Sequence, residues 1–313
     1  MPNAIANRAH LSFVQESVFA STLSATALKQ LRIVSESLAL AKNVQFSGQM
    51  DQATRNRVAV IEASKAAGGS IECELSFTDF VPLIQAAIGA TIATPAQTGA
   101  TYKNGNVLQT FYFEKLFADV SRYVGVYGCA INELELRFQA NSPVMATFGI
   151  MAAKTGSLGA TRGVSYTTPS TDAVMRSGVD VAHVKVDGSA IAAAVRALTL
   201  KIANGLKPTD QLTSEHPTGF QFGDFQVTGT AEVYFPDAAV YDLVEGSTSK
   251  SLEIKVANAA GSFAFNMPAV RFTGGTPLIA GQGSDVMLSI PFLAHQADGG
   301  DNTLNVTIDP AGP

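Results

Sequence analysis

The sequence predicts an all-β protein, β-rich with one short helix per half, arranged as two tandem antiparallel β-sandwich or barrel domains. Three observations predict it. Stretches in which apolar and polar residues alternate recur along most of the chain, the period of strands with one buried face. Turn signals such as Gly68-Gly69, Asn104-Gly105 and Asn204-Gly205 separate them. One strand-to-helix unit also occurs twice.

The first copy of that unit is Ser70 to Gly89. Ile71, Cys73, Leu75 and Phe77 alternate with Glu72, Glu74, Ser76 and Thr78. Asp79 ends the alternation, and as a short acceptor ahead of Phe80, Leu83, Ile84, Ala87 and Ile88 it is read as the N-cap of an amphipathic helix that Gly89 closes. The second copy runs from Val227 to Gly246. There Glu232, Val233, Phe235 and Asp237 repeat Glu74, Leu75, Phe77 and Asp79 at an offset of 158 residues (235 − 77), with Asp237 as the second N-cap.

Taken in order, residues 1–30 read as an N-terminal arm without a clean period, whose apolar Leu11, Phe13 and Phe19 are expected to dock on a neighbouring subunit. Residues 31–155 form the first domain. Its strands are Leu31 to Ala41, Arg55 to Ala63, the Ser70 unit, the Phe111 to Glu114 stretch, Gly125 to Phe138 and Val144 to Ala152. Residues 156–195, rich in Gly, Ser and Thr, are expected to be a linker or long loop. Residues 196–313 form the second domain, with strands at Ala197 to Ile202, Phe220 to Phe235, Leu252 to Val256, Phe263 to Pro268, Val286 to Phe292 and Leu304 to Ile308.

At 313 residues and 32.7 kDa the chain can bury two cores of ordinary size. Hydrophobic residues make up 46% and charged residues only 15%, which favours a protein that assembles. The net charge of −5 argues against a protein whose main task is to grip phosphate backbones, and leaves room for passing contact with DNA. Cys73 and Cys129 sit in alternating strands and read as free structural thiols. Neither a secretory signal nor an apolar run long enough to cross a bilayer stands out, so the expectation is a soluble protein made in the cytosol, without membrane contact.

No catalytic constellation emerges, and the expectation is no enzyme, no metal and no cofactor. His10, His183, His216 and His295 stand far apart, none at ligand spacing from another or from a cysteine. Ser247-Thr248-Ser249-Lys250 and Lys154-Thr155-Gly156 match two boxes of the penicillin-recognising enzymes, but in reversed order and without the third. The pairs Glu72/Glu74 and Glu133/Glu135 offer acid–base chemistry, yet each alternates with buried residues and is explained by the wet face of a strand.

Several phrases resemble the tail tube (major tail) proteins of long-tailed bacteriophages, in the larger form that carries the tube fold twice. They are Gly69-Ser70-Ile71-Glu72-Cys73-Glu74-Leu75 with its helix, Thr110-Phe111-Tyr112-Phe113-Glu114-Lys115, Asn132-Glu133-Leu134-Glu135-Leu136, Leu198 to Leu206, Val227 to Phe235 and Pro291-Phe292-Leu293-Ala294. The resemblance implies that sheets from neighbouring domains join into a barrel around a channel. Three two-domain chains would then make a pseudo-six-fold ring that stacks head to tail, with the chain itself, the tape measure, tail terminator and baseplate or tip proteins as partners. It implies a virion tail protein assembled in the host cytoplasm, touching double-stranded DNA only as the genome is ejected. Glu72, Glu74 and Glu232 are the candidate lumen-facing residues, because an acidic wall repels phosphate. The reading from another class is a β-rich binding module, or a decoration or receptor-contact protein on the virion surface, with the long polar loop as its recognition element.

Overall fold

The computed structural model describes residues 5–310 except 6–7, 22–26, 50–54, 58, 93–98, 160–164, 192–194, 235–244, 247, 276, 278–280 and 282–284. The chain opens with β1 (Ala9–Gln15), β2 (Ala27–Leu31), β3 (Ser35–Glu36), β4 (Ala39–Phe46) and β5 (Val60–Glu74), which feeds α1 (Phe77–Ala87). It returns as β6 (Ala100–Lys103), β7 (Phe111–Phe117), β8 (Arg122–Gln139), β9 (Met145–Ala152) and β10 (Lys154–Thr155). The stretch β11 (Ser165–Thr167), β12 (Val181–Val186) and β13 (Ser189–Ala190) leads to β14 (Val195–Ala203) and the hairpin of β15 (Lys207–Thr209) and β16 (Gly219–Gln221). The chain finishes with β17 (Gln226–Tyr234), β18 (Lys250–Asn258), β19 (Gly261–Phe272), β20 (Met287–His295) and β21 (Asn305–Pro310). The protein is all-β, as its alternation predicts.

The pairings are antiparallel except that β11 runs parallel to β2. One sheet crosses the whole molecule in the order β4, β5, β9, β8, β14, β17, β20. Its inner face carries a row made by register: Ile71, Phe148, Leu134, Ile202, Val227 and Ala294, all buried. Helix α1 covers part of this face, with Phe80 stacked on Phe148 at 6.0 Å between ring centres and Phe77 against Phe263 at 5.0 Å. Because Phe148 belongs to the first half and Phe263 to the second, the helix ties both into one continuous core. Gly89 closes the helix at φ +65°, where its N–H reaches the carbonyl of Ala86.

Strand register can be followed in parallel through the two halves. The β7–β8 hairpin is bulged so that Phe111 faces Cys129 while Phe113 faces Val126; β18–β19 repeats the bulge, with Lys250 facing Val270 and Leu252 facing Met267. Next, Ala130 faces Met151 as Arg271 faces Leu293. Following these pairs through β9 and β20, Cys73 faces Ala146 as Val233 faces Leu288. Cys73 therefore corresponds to Val233 and Glu72 to Glu232, an offset of 160 (232 − 72) rather than the 158 that sequence likeness suggests. The two offsets differ by one pleat repeat, so the side chains keep their faces.

Three expectations need correcting. Residues 9–15 and 27–31 are strands, not a free arm: β1 pairs with β7 and β2, and Leu11 and Phe13 are buried in the core of their own chain. Phe19 likewise packs on Phe220 of the same chain, ring centres 5.7 Å apart. The stretch 156–195 is no open linker, since β12 pairs with β18 and Met175 is buried in the core. Asp79 is not the N-cap of α1. The strand ends at Glu74, Leu75 donates its N–H to Val144, and Ser76 takes the cap position without a side-chain cap bond. The helix N-terminus is instead satisfied by Asp172, whose carboxylate accepts the N–H of Thr78 at 2.9 Å. Burial opposes the charge on Asp172, but hydrogen bonds from Thr78 and Ser170 and the nearby Arg32 outweigh it and hold its carboxyl below the usual range. The second helix and its proposed cap, Asp237, lie outside the described residues.

Candidate functional site

The outer face of the seven-strand sheet is mostly polar, with Met145, Pro291 and Leu293 among its apolar members. One row runs Ser35, Glu72, Thr147, Glu135, Lys201, Thr228, Leu293 by direct register. The adjacent row runs Glu74, Met145, Arg137, Thr199, Thr230, Pro291. A third carries Gln139, Ala197, Glu232 and Ser289. Alternation dictates this: each residue flanks a buried neighbour, so strands that bury Leu134, Leu136, Leu200 and Ile202 must show Glu133, Glu135, Thr199 and Lys201 outward.

The structure thus places Glu72, Glu74 and Glu232 on one common face. They do not form a cluster. Strands β9, β8 and β14 stand between β5 and β17, a span of roughly 19 Å at the usual strand spacing. Other charges on the face are paired. Glu135 accepts from Arg137 Nε at 2.6 Å, a hydrogen bond that holds the guanidinium still more firmly charged, and Glu133 meets Lys201 Nζ at 3.0 Å. Among the described residues Glu72 accepts the Ser35 hydroxyl at 3.2 Å, and neither Glu74 nor Glu232 forms an ion pair. The face is consequently mildly acidic, with hydroxyls and compensated pairs between the three free carboxylates.

The junction between the halves is built by β8 and β14. Ala197 to Ala203 pair with Gln139 to Glu133, the Asn204 amide donates to the carbonyls of Ala87 and Ile131 at 2.9 Å each, and the Leu206 N–H donates to Asn132 Oδ1 at 2.7 Å. Close approach is enforced next door at Gly229, where a β-carbon would lie 2.3 Å from both the Thr199 carbonyl oxygen and the Phe292 ring.

Among the described residues of this face no serine, cysteine or histidine is paired as nucleophile and base. A serine–histidine contact that sequence spacing could not announce does exist elsewhere: Ser249 Oγ lies 2.7 Å from His295 Nε2. It is exposed, and His295 Nδ1 contacts the Gln296 carbonyl at 2.8 Å, so no carboxylate orients the imidazole. Among the described residues no group of three or more His, Cys, Asp or Glu is placed to hold a metal ion, and no helix is long and apolar enough to cross a membrane.

A jointed sheet with a mostly polar face is the kind of surface a wall presents, and comparison with known families names the wall. The family model described as phage tail tube protein matches residues 6–294. The chain belongs to the phage tail tube protein family. The match begins ahead of β1, crosses the 156–195 stretch and ends within β20, so it spans the first half of this tail tube chain and the second half short of β21. Membership makes it a structural, self-associating component of the virion tail. Compared with curated proteins, the chain matches none.

Two groups of residues on the face had not been singled out. Arg137 and Lys201 neutralise Glu135 and Glu133, and the threonines Thr147, Thr199, Thr228 and Thr230 separate the charges. Their polar positions were legible as strand exteriors. That they share one surface with Glu72 and Glu232 depends on the β8–β14 pairing, which joins segments about sixty residues apart in sequence with no local signature.

Proposed function

We propose that the chain consists of two equivalent sandwich domains, and that three chains close into a pseudo-six-fold ring whose joined sheets surround a channel. The observation that carries this reading is the β8–β14 junction, which sets two register-equivalent units side by side in one sheet with a common polar face. A barrel made by repeating that junction has no free edges within a ring. Ring-on-ring stacking is heterologous and extends until another protein stops it, so tape measure, terminator and tip proteins set the length and the ends.

In this reading the polar face lines the lumen. A duplex carries one negative charge per about 1.7 Å of axis, so a wall rich in lysine would release counterions and hold it. Here Arg137 and Lys201 are committed to Glu135 and Glu133, and Glu72, Glu74 and Glu232 are left to repel phosphate. The duplex slides, and no chemistry is asked of the wall. The protein works in the virion tail after assembly in the host cytoplasm, without enzymatic activity, cofactor or membrane contact.

Replacing Glu72, Glu74 and Glu232 together by Lys tests the lumen assignment. Rings and tubes should still form while genome ejection slows, with the defect relieved by raised salt. Ejection and infectivity at the wild-type level would overturn it.

A further inference from the structure

The two halves differ most at one hairpin. Past the strands that face each other as Ser35–Glu72 and Ala197–Glu232, both hairpins slip register by one residue and continue, Val44 facing Glu62 and Phe46 facing Val60 in the first half, Pro208 facing Phe220 in the second. Val44 therefore corresponds to Leu206, and Val60 to Phe220. In the second half this hairpin is seated. Leu206 and Phe220 are each only 7% exposed, packed with Ala130, Phe19 and Met151 of the first half. In the first half it is bare: Val44 is 56%, Phe46 66% and Val60 61% exposed, and among the described residues β3 and β4 pair with β5 alone.

The seat has its own counterpart. Met151, against which the second hairpin packs, corresponds through the paired registers to Leu293, which is 44% exposed at the far end of the sheet. Asn132, which accepts the Leu206 N–H, corresponds to the exposed Thr273. An exposed apolar hairpin thus sits at one end of the sheet and the counterpart of its seat, with Arg271 standing where the seat has Ala130, at the other. Each is the duplicate of a surface already joined inside the molecule.

We propose that Val44, Phe46 and Val60 of one copy dock against Leu293 and Thr273 of a second copy, repeating between chains the contact that Leu206 and Phe220 make within one. The inference rests on the ring reading and assigns its chain-to-chain contact to residues. The two surfaces are different patches, so the contact is heterologous, as a closed ring requires. Burying them removes apolar surface that stays exposed among the described residues.

Disulfide trapping tests it. Both natural cysteines are buried, so single variants Val44→Cys and Thr273→Cys each add one accessible thiol. Mixed, assembled and treated with diamide, they should give a covalent dimer, at least tenfold more than Val44→Cys mixed with Leu158→Cys, which places the second thiol at an exposed residue outside the seat. The double variant Val44→Asp, Val60→Asp should remain a folded chain and need at least tenfold more protein to assemble. Assembled particles that give no dimer above the Leu158→Cys level overturn the inference and leave the ring reading standing. A wild-type chain that forms no particles under the same conditions overturns both.

Discussion

Asn132 and Asn204 clasp each other across the junction between the two halves: the Asn204 N–H donates to the Asn132 carbonyl at 2.8 Å, while Asn132 Oδ1 takes the N–H of Leu206 at 2.7 Å. Asn204 is only 2% exposed, and its amide satisfies the carbonyls of Ala87, at the end of α1, and Ile131, in β8. A single side chain therefore connects the helix, the first half and the second.

Asn204→Leu keeps the volume and strands two buried carbonyls. It should lower the unfolding free energy by about 1–3 kcal/mol, the usual cost of unsatisfied buried polar groups. Denaturant titration of the isolated chain reads this directly, and an unchanged midpoint would show that the junction does not depend on the clasp.

Gly229→Ala should be among the costlier methyl additions in the protein. Its β-carbon would meet a backbone oxygen and the Phe292 ring at 2.3 Å, and the oxygen belongs to the strand that joins the halves. Overpacking of this kind costs about 1–3 kcal/mol, so thermal unfolding of the variant should begin several degrees below wild type. Gly188→Ala is a poor control, because that glycine sits at φ +75°; Gly48→Ala, with nothing within 4 Å, is a fair one.

Glu16 gives the stability a pH dependence of definite sign. Burial pushes its carboxyl above the usual glutamate value, against hydrogen bonds from the N–H groups of Gly128 and Ala20. The folded form therefore holds the proton more tightly than the unfolded form. The contribution is fully present below the unfolded value of about 4.3 and is lost as pH rises through the folded one. The difference in denaturation midpoint between wild type and Glu16→Gln should shift against wild type as pH rises from about 4 into the neutral range. A difference independent of pH would contradict the assignment.

Much of the fold was legible because alternation reports one buried face. The strands around Ile71, Leu134, Ile254 and Ile290 follow the pattern residue by residue. Where both faces are covered the signal fades: in β1 Leu11, Ser12 and Phe13 are all buried, so no alternation marked it as a strand. The short β11 is held by β2, far along the chain, and nothing local announces it. Asp79 shows a different limit. A carboxylate before an apolar stripe looks like a cap, but this one is buried inside the first turn, paired with Lys29 at 2.8 Å and accepting the Ser170 N–H at 3.0 Å.

The candidate site was half legible. The outward glutamates of β5, β8 and β17 followed from the pattern, and the repeat read from sequence likeness, at an offset of 158 residues, differs by two from the register offset of 160. An even slip leaves every side chain on its face, so polarity alone cannot detect it. Only paired bulges, at Phe111–Phe113 and Lys250–Leu252, fix the true correspondence, and with it the match of Val44 to Leu206.

The central claim, that copies of this chain join edge to edge into rings that stack, is tested most directly by negative-stain electron microscopy of the purified protein across a concentration series. The account predicts hollow tubes or small rings with a central channel, their number rising with concentration. A monodisperse compact monomer at the highest concentration would contradict it.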